Sequence, residues 1–303
     1  MFHLIFVYSL RSTNIKRTIE TVRSIVAGLY GKENLTTPIT IHSLNDEEEY
    51  LFPNPSCEVL RFLAHRDWMK LESSSSQLAK DKNFFENLLG IDKSKHHVNF
   101  VHLRDDLACR ITHGHEVPGF LKDHYKTIDK HAVTVFVYQC AGFHGTDSDL
   151  MLRLIVGPIL RKFRNYMEEA IAGKKTHKLG IYGAHDSTLV PLLVALGGFD
   201  YKWPPFLADV TFELYSNEEA KHSKDYFVKV LYNQKPLKIP GCPSEMCRFD
   251  DFWKALKKYE MPTATLPADE CAHEEHLQRL KKEYQRDQDM DEEEGESERP
   301  AGM

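Results

Sequence analysis

The chain has 303 residues, 42% of them hydrophobic, with a formal net charge of −6 and a pI near 6.2. That is enough apolar material for one large domain or two smaller ones, and the acidic balance excludes the basic footprint of a nucleic-acid binder. No apolar run is long enough to span a bilayer, and six cysteines in this length do not make a disulfide scaffold.

The opening MFHLIFVYSL lacks a basic leader region and a small-residue cleavage site, and it stops at Arg11. Residues 1–10 therefore read as a buried strand and not as a signal peptide, with His3 as a strand histidine. A helix follows, capped by Ser12 or Thr13, with Ile15, Ile19, Val22, Val26 and Leu29 as its apolar stripe. The segment TPITIHSL, 37–44, alternates and reads as a second strand, which completes the opening of an α/β unit. One glycosylation sequon, at Asn34, carries meaning only in a secreted chain.

Residues 46–145 change character. They are charged and broken, SSSSQLAKDK reads as a surface connection, and VTVFVYQC, 133–140, fits either a strand or a buried helix segment. This stretch is expected to be a mainly helical cap insertion. A long helix then starts at Asp147 or Ser148 and stops at Gly173, with Pro158 as a site for a kink. HKLGIYGAH is a short buried strand, and STLVPLLVALGG is a helix ended by Gly197 and Gly198. DVTFELYSN and YFVKVLYNQKPLKI alternate as an antiparallel pair, and FDDFWKALKKY is an amphipathic helix. The expected organisation is an α/β core from 1–45 and 146–271, the cap at 46–145, and a charged tail at 272–303, either a solvent-exposed helix or disordered, whose acidic run DMDEEEGESER is solvated.

His185 and Asp186 fall where a strand ends and a helix begins. In open α/β sheets that edge is where ligands bind, and the helix points its free N–H groups and positive dipole end at the same crevice. An imidazole, a carboxylate and a helix N-terminus suit an anion whose leaving group needs a proton; equally, Asp186 or Ser187 could serve only to cap the helix. RSTNIKRT, 11–18, repeats the geometry, and Arg11 at a strand end offers a guanidinium fork that matches two phosphate oxygens.

Together RSTNIKRT and AHDSTLVPLLVALG resemble the histidine acid phosphatases, branch 2 of the histidine phosphatase superfamily. FDYKWPPFLADVTFELY and VLYNQKPLKIPGCPSEMCRFDDF extend the resemblance towards the lysophosphatidic acid phosphatase type of that family. It runs from about residue 8 to 271, strong over 178–252 and weak across 46–145. It implies a phosphoglycerate-mutase-like fold, with a central mostly parallel sheet and flanking helices. It also implies hydrolysis of a phosphomonoester such as a lysophospholipid, with no metal or organic cofactor, by a monomeric chain. By resemblance Arg11 and His185 bind the phosphoryl oxygens and Asp186 protonates the departing alkoxide; the compartment implied is mitochondrial or secretory, with any targeting segment upstream of Met1.

The family's nucleophile, the histidine of an Arg-His-Gly-x-Arg-x-Pro segment, has no counterpart in this sequence. Thr112-His113-Gly114 mimics it but lies in the cap-like region. His144, in FHGTD, lacks the arginines, and His115 before Pro118 either lies at the surface or borders the substrate pocket. An N-terminally incomplete chain explains the gap better than a natural homologue without the nucleophile, because a whole strand and loop are missing and not one side chain. Loss of a nucleophile costs on the order of 10⁴–10⁶ in rate, so the rival reading is an inactive phosphate- or lipid-binding homologue. A metal-dependent hydrolase drawing on the 16 histidines finds no HExxH or comparable cluster. Cys242 and Cys247, flanked by Gly241 and Pro243, fit a local disulfide or a pair of free thiols; zinc lacks further ligands nearby.

Overall fold

In the computed structural model the described residues are 8–31, 33, 38–46, 48–142, 147–174, 177–217, 222–261, 271 and 277–286. His3, Asn34, His144 and the acidic C-terminal run lie outside them.

Strand β1 (Tyr8–Ser12) pairs in parallel with β2 (Leu179–Gly183), Arg11 lying opposite Tyr182 and Ser12 opposite Gly183. The other edge of β1 carries a single parallel bridge from Arg11 to His42, closed by Ser12 N–H to the His42 carbonyl and His42 N–H to the Leu10 carbonyl, both 2.9 Å. The expected strand at 37–44 is thus reduced, over its described residues, to one bridge. Ile39 and Ile41 still pack beside Leu10, Val22 and Val26, which is the apolar alternation that read as a strand.

Helix α1 (Lys16–Tyr30) begins later than expected. Ile15 holds the cap position without a side-chain cap bond, Ser12 remains in β1, and the Thr13 hydroxyl is used elsewhere. Thr18, Val22 and Val26 form its buried face, while Leu29 is 57% exposed and does not belong to the stripe.

Five helices follow: α2 (Glu58–Ser74), α3 (Ser76–Leu88), α4 (Phe100–Thr112), α5 (Gly119–Asp123) and α6 (Tyr125–Ala141). The ambiguous segment 133–140 is helical, inside α6. Burial of Ile128, Ala132, Val133 and Val135 in the helical core decides the matter against the β preference of its branched residues. Phe85, Phe100, Leu107 and Ile128 centre a core shared by α3, α4 and α6. Helix α2 joins two cores, giving Leu71 to this one and Val59, Leu60 and Leu63 to the larger one.

The larger core gathers around α7 (Ser148–Ile171), which keeps Pro158 buried inside it, and α8 (Asp186–Ala195). The Asp147 side chain does not cap α7; its carboxylate takes the Arg66 guanidinium instead. A second sheet, all antiparallel, has β4 (Tyr226–Tyr232) at its centre. Strand β3 (Val210–Ser216) lies on one side, with β5 (Lys235–Leu237) and β6 (Met246–Arg248) along the other. This is the antiparallel pair read from alternation, with two short additions. Helix α9 (Phe249–Ala255) buries Phe249, Phe252 and Trp253 on the larger core. Residues 277–286 are helical and bury Leu277 and Leu280 there too, so the charged C-terminal stretch is not uniformly a solvated tail.

Cys242 and Cys247 are bridged, and a second disulfide joins Cys57 to Cys271 across 214 residues. Cross-links over longer loops remove more entropy from the unfolded chain. The double substitution Cys57→Ala with Cys271→Ala is therefore expected to cost roughly 2–5 kcal/mol, and the corresponding change at Cys242 and Cys247 distinctly less. Urea unfolding of both pairs checks the order; equal losses would mean that the long bridge constrains nothing in the unfolded state.

Candidate active site

The parallel pairing brings the carboxyl ends of β1 and β2 to one edge, and the chain turns from each into a helix. What lets the two turns touch is Gly183. A Cβ there would meet the Thr18 carbonyl at 2.8 Å and the Val22 side chain at 2.7 Å, so only glycine admits the first turn of α1 against the end of β2. The first turn of α1 carries Arg17, and the residues after Gly183 are Ala184, His185 and Asp186.

His185 sits at the cap position of α8 with extended backbone. Its N–H donates to Thr188 Oγ1 at 3.2 Å, and Thr188 in turn donates to the Leu51 carbonyl, which pins the helix start to the 49–52 segment. The imidazole lies between two partners. Arg17 approaches Nδ1 at 3.3 Å, and Thr13 Oγ1 lies 2.9 Å from Nε2. A guanidinium can only donate, so Nδ1 accepts and Nε2 carries the proton. Nε2–H then donates to Thr13 Oγ1, which donates to Thr18 Oγ1 at 2.7 Å, which donates to the Ile15 carbonyl at 2.8 Å. This chain of bonds fixes a neutral imidazole. Burial and the neighbouring Arg17 charge hold the His185 pKa below its ordinary value, against the opposing pull of Asp186 and Glu49. The Phe52 ring packs on the imidazole at 72°, with centroids 6.0 Å apart.

Asp186 is the first residue of α8. Its Oδ1 accepts the Ser187 N–H at 2.8 Å and its Oδ2 accepts the Trp203 indole N–H at 3.1 Å. Neither Asp186 nor Ser187 caps α8 in the usual sense, since the capping position belongs to His185.

Arg11, which the resemblance gives as a phosphoryl ligand, is held in a buried ion pair. It is 7% exposed, and one guanidinium nitrogen, Nη2, donates to both Glu49 carboxylate oxygens at 2.7 and 2.8 Å. It also donates to the carbonyls of Ser12 and His42 and lies over the Tyr50 ring at 5.3 Å. Glu49 in turn accepts the N–H groups of Tyr50 and Leu51. Arg11 therefore ties the 49–52 segment to β1, while the guanidinium at the open edge beside His185 is that of Arg17. Sequence reading passed over Arg17 although it lies inside RSTNIKRT, and passed over Glu49 and Trp203 as well. His113 and His115 are exposed at the C-terminal end of α4, their rings 6.3 Å apart. Among the described residues no group of three or more His, Cys, Asp or Glu side chains is placed to hold a metal ion. No described helix is long and apolar enough to cross a membrane.

Residues 121–233 match the sequence profile of the histidine phosphatase superfamily, branch 2. Over 259 residues the chain is 36% identical to lysophosphatidic acid phosphatase type 6 of Pongo abelii and 35% identical to that of Homo sapiens; in each case the match covers 83% of this chain and 58% of the relative. The chain thus spans less than two thirds of the length of these relatives. Its fold is similar to that of the phytase from Citrobacter braakii, with a TM-score of 0.59 and 13% identity over 88% of this chain and 81% of the phytase. Matched in sequence through the strand–helix edge that holds His185 and Asp186, and similar in sequence along 83% of its length to the relatives named above, the chain belongs to the histidine phosphatase superfamily, branch 2.

Proposed function

We propose that this site binds the phosphoryl group of a phosphate monoester, a lysophospholipid by analogy with the relatives named above, and protonates its departing oxygen. The observation that carries the reading is the convergence of Arg17, His185 and Asp186 at one edge, at the starts of two helices. Arg17 supplies positive charge for the phosphoryl oxygens, and His185, neutral in the free site, gains a proton as the negative phosphate arrives beside it. As the bond from phosphorus to the ester oxygen breaks, the proton on Asp186 passes to that oxygen. The new bond to phosphorus is made, in the family, by the histidine of an Arg-His-Gly segment, which this sequence does not contain. Segment 46–145 is proposed as the cap that borders the substrate on the far side.

Phosphate binding is the part of this function that the residues present can carry. Titration with inorganic phosphate by calorimetry is expected to show affinity that falls about 10-fold or more in Arg17→Ala and in His185→Ala, the loss of one charge-assisted hydrogen bond in each case. Affinity unchanged in both variants would remove the site assignment. The rival reading, a homologue that binds phosphate without turnover, predicts the same binding. It is separated from hydrolysis by a phosphohistidine trap with radioactive substrate.

A further inference from the structure

The loop between α8 and β3 sends Trp203 back towards the head of α8, where its N–H meets Oδ2 of Asp186 at 3.1 Å. The ring is 9% exposed and belongs to the core of the helical segment, not to that of α8. Two cap helices hold it. Phe136 of α6 stacks on it with centroids 4.6 Å apart and planes 28° apart, and the Arg104 guanidinium of α4 lies 4.5 Å from its centroid. Arg104 is itself held by Asp129 at 3.1 Å and Asp105 at 3.4 Å.

A carboxyl group turns about one bond. With Oδ1 on the Ser187 N–H and Oδ2 on the indole, that rotation is set at both ends, and each oxygen keeps one lone-pair direction free. A cation over an indole draws density from the ring, which makes the N–H a stronger donor. We propose that Trp203 is a positioning residue for Asp186, clamped by Arg104 and Phe136, so that the helical cap sets the direction in which Asp186 offers its proton.

This rests on reading Asp186 as the proton donor, and it extends that reading from the residue to the segment that aims it. The charged and titratable groups around the carboxyl are His185 next to it, Asp105 and Arg104 from α4, and the Cys140 thiol from α6. Burial and the Asp186 charge hold the Asp105 carboxyl above its ordinary range, and burial pushes the Cys140 thiol up, so both groups sense Asp186. A simpler role for Trp203, a buried N–H that merely finds an acceptor, shares the contact but not the consequence for the site.

Two measurements on the chain as it stands separate these. The first is the indole N–H spectrum of 15N-labelled protein, which has three tryptophans, Trp68, Trp203 and Trp253. The Trp203 signal, identified by its loss in Trp203→Phe, is expected to move on acidification, to stop moving in Asp186→Asn, and to keep moving in Asp105→Asn. Arg104→Met should shift it at every pH towards a weaker hydrogen bond, and the Trp68 and Trp253 signals report that each variant is folded. A movement that survives Asp186→Asn, or vanishes in Asp105→Asn, overturns the contact.

The second is phosphate affinity across pH by calorimetry. The acid-side gain made by a protonated Asp186 should drop several-fold in Trp203→Phe and in Asp186→Asn, with no further drop in the double variant, and return in part in Trp203→His, which keeps a ring N–H. A Trp203→Phe profile that overlays the wild type reduces Trp203 to packing and overturns the proposal. Failure of the donor reading itself shows separately, in the leaving-group comparison given below.

Discussion

Asp186→Asn, in a chain that carries the family's Arg-His-Gly strand, is expected to slow hydrolysis of an alkyl phosphate by about 10²–10⁴, the usual contribution of a positioned general acid, and to slow nitrophenyl phosphate far less. The physical reason lies in the leaving group. An alkoxide departs from phosphorus badly unless it is protonated as the bond breaks, whereas a nitrophenolate is stable without a proton. Asparagine keeps the shape, and its single amide oxygen still accepts one of the two N–H bonds, from Ser187 or from Trp203, so the head of α8 keeps one of its two ties while the proton is lost. The measurement is kcat for both substrates in both proteins across pH. Equal losses on the two substrates would show that Asp186 is not the donor and that its part is confined to organising the helix start.

Arg11→Ala should act on folding. The guanidinium is paired at 2.7 and 2.8 Å with a carboxylate that is itself buried, and its removal leaves Glu49 charged in a dry site with only the Tyr50 and Leu51 N–H groups for company. Breaking a buried pair from one side costs about 3–5 kcal/mol. Replacing both partners at once, as Arg11→Met with Glu49→Gln, should recover much of that loss, because no charge is then left behind. Urea unfolding of the two proteins gives the comparison. If Arg11 were a phosphate ligand instead, Arg11→Ala would keep its stability and lose its phosphate, the opposite pattern on two independent readings.

The strand–helix edge was legible because its signals are local. A short apolar strand, a His-Asp pair and a continuous apolar helix follow one another within 179–195, and the parallel neighbour could be inferred from the same strand-to-helix pattern at 8–30. Which arginine faces the edge was not legible. Arg11 and Arg17 lie six residues apart in one motif, and the choice between them depends on Glu49, 38 residues beyond Arg11, whose carboxylate claims the first and leaves the second at the surface. Trp203 was visible as part of a quoted segment, yet its use depends on α4 and α6 coming to rest beside α8. Periodicity misled at 37–44, where apolar alternation serves side-chain packing while, among its described residues, the backbone pairs only at His42. The Cys242–Cys247 bridge was one of two readings left open by adjacency, and the Cys57–Cys271 bridge had no sequence signal at all, since nothing local links residues 214 apart.

That long bridge has a consequence for how the protein survives proteases. Any single peptide bond cut between Cys57 and Cys271 leaves two pieces that are still one covalent molecule, and the segment so protected holds α2 to α9, including His185, Asp186 and Trp203. A nicked protein would therefore run intact on a gel without reductant and split only after reduction. In a compartment that spares the bridge, cleavage becomes a mark on the chain instead of the loss of a part.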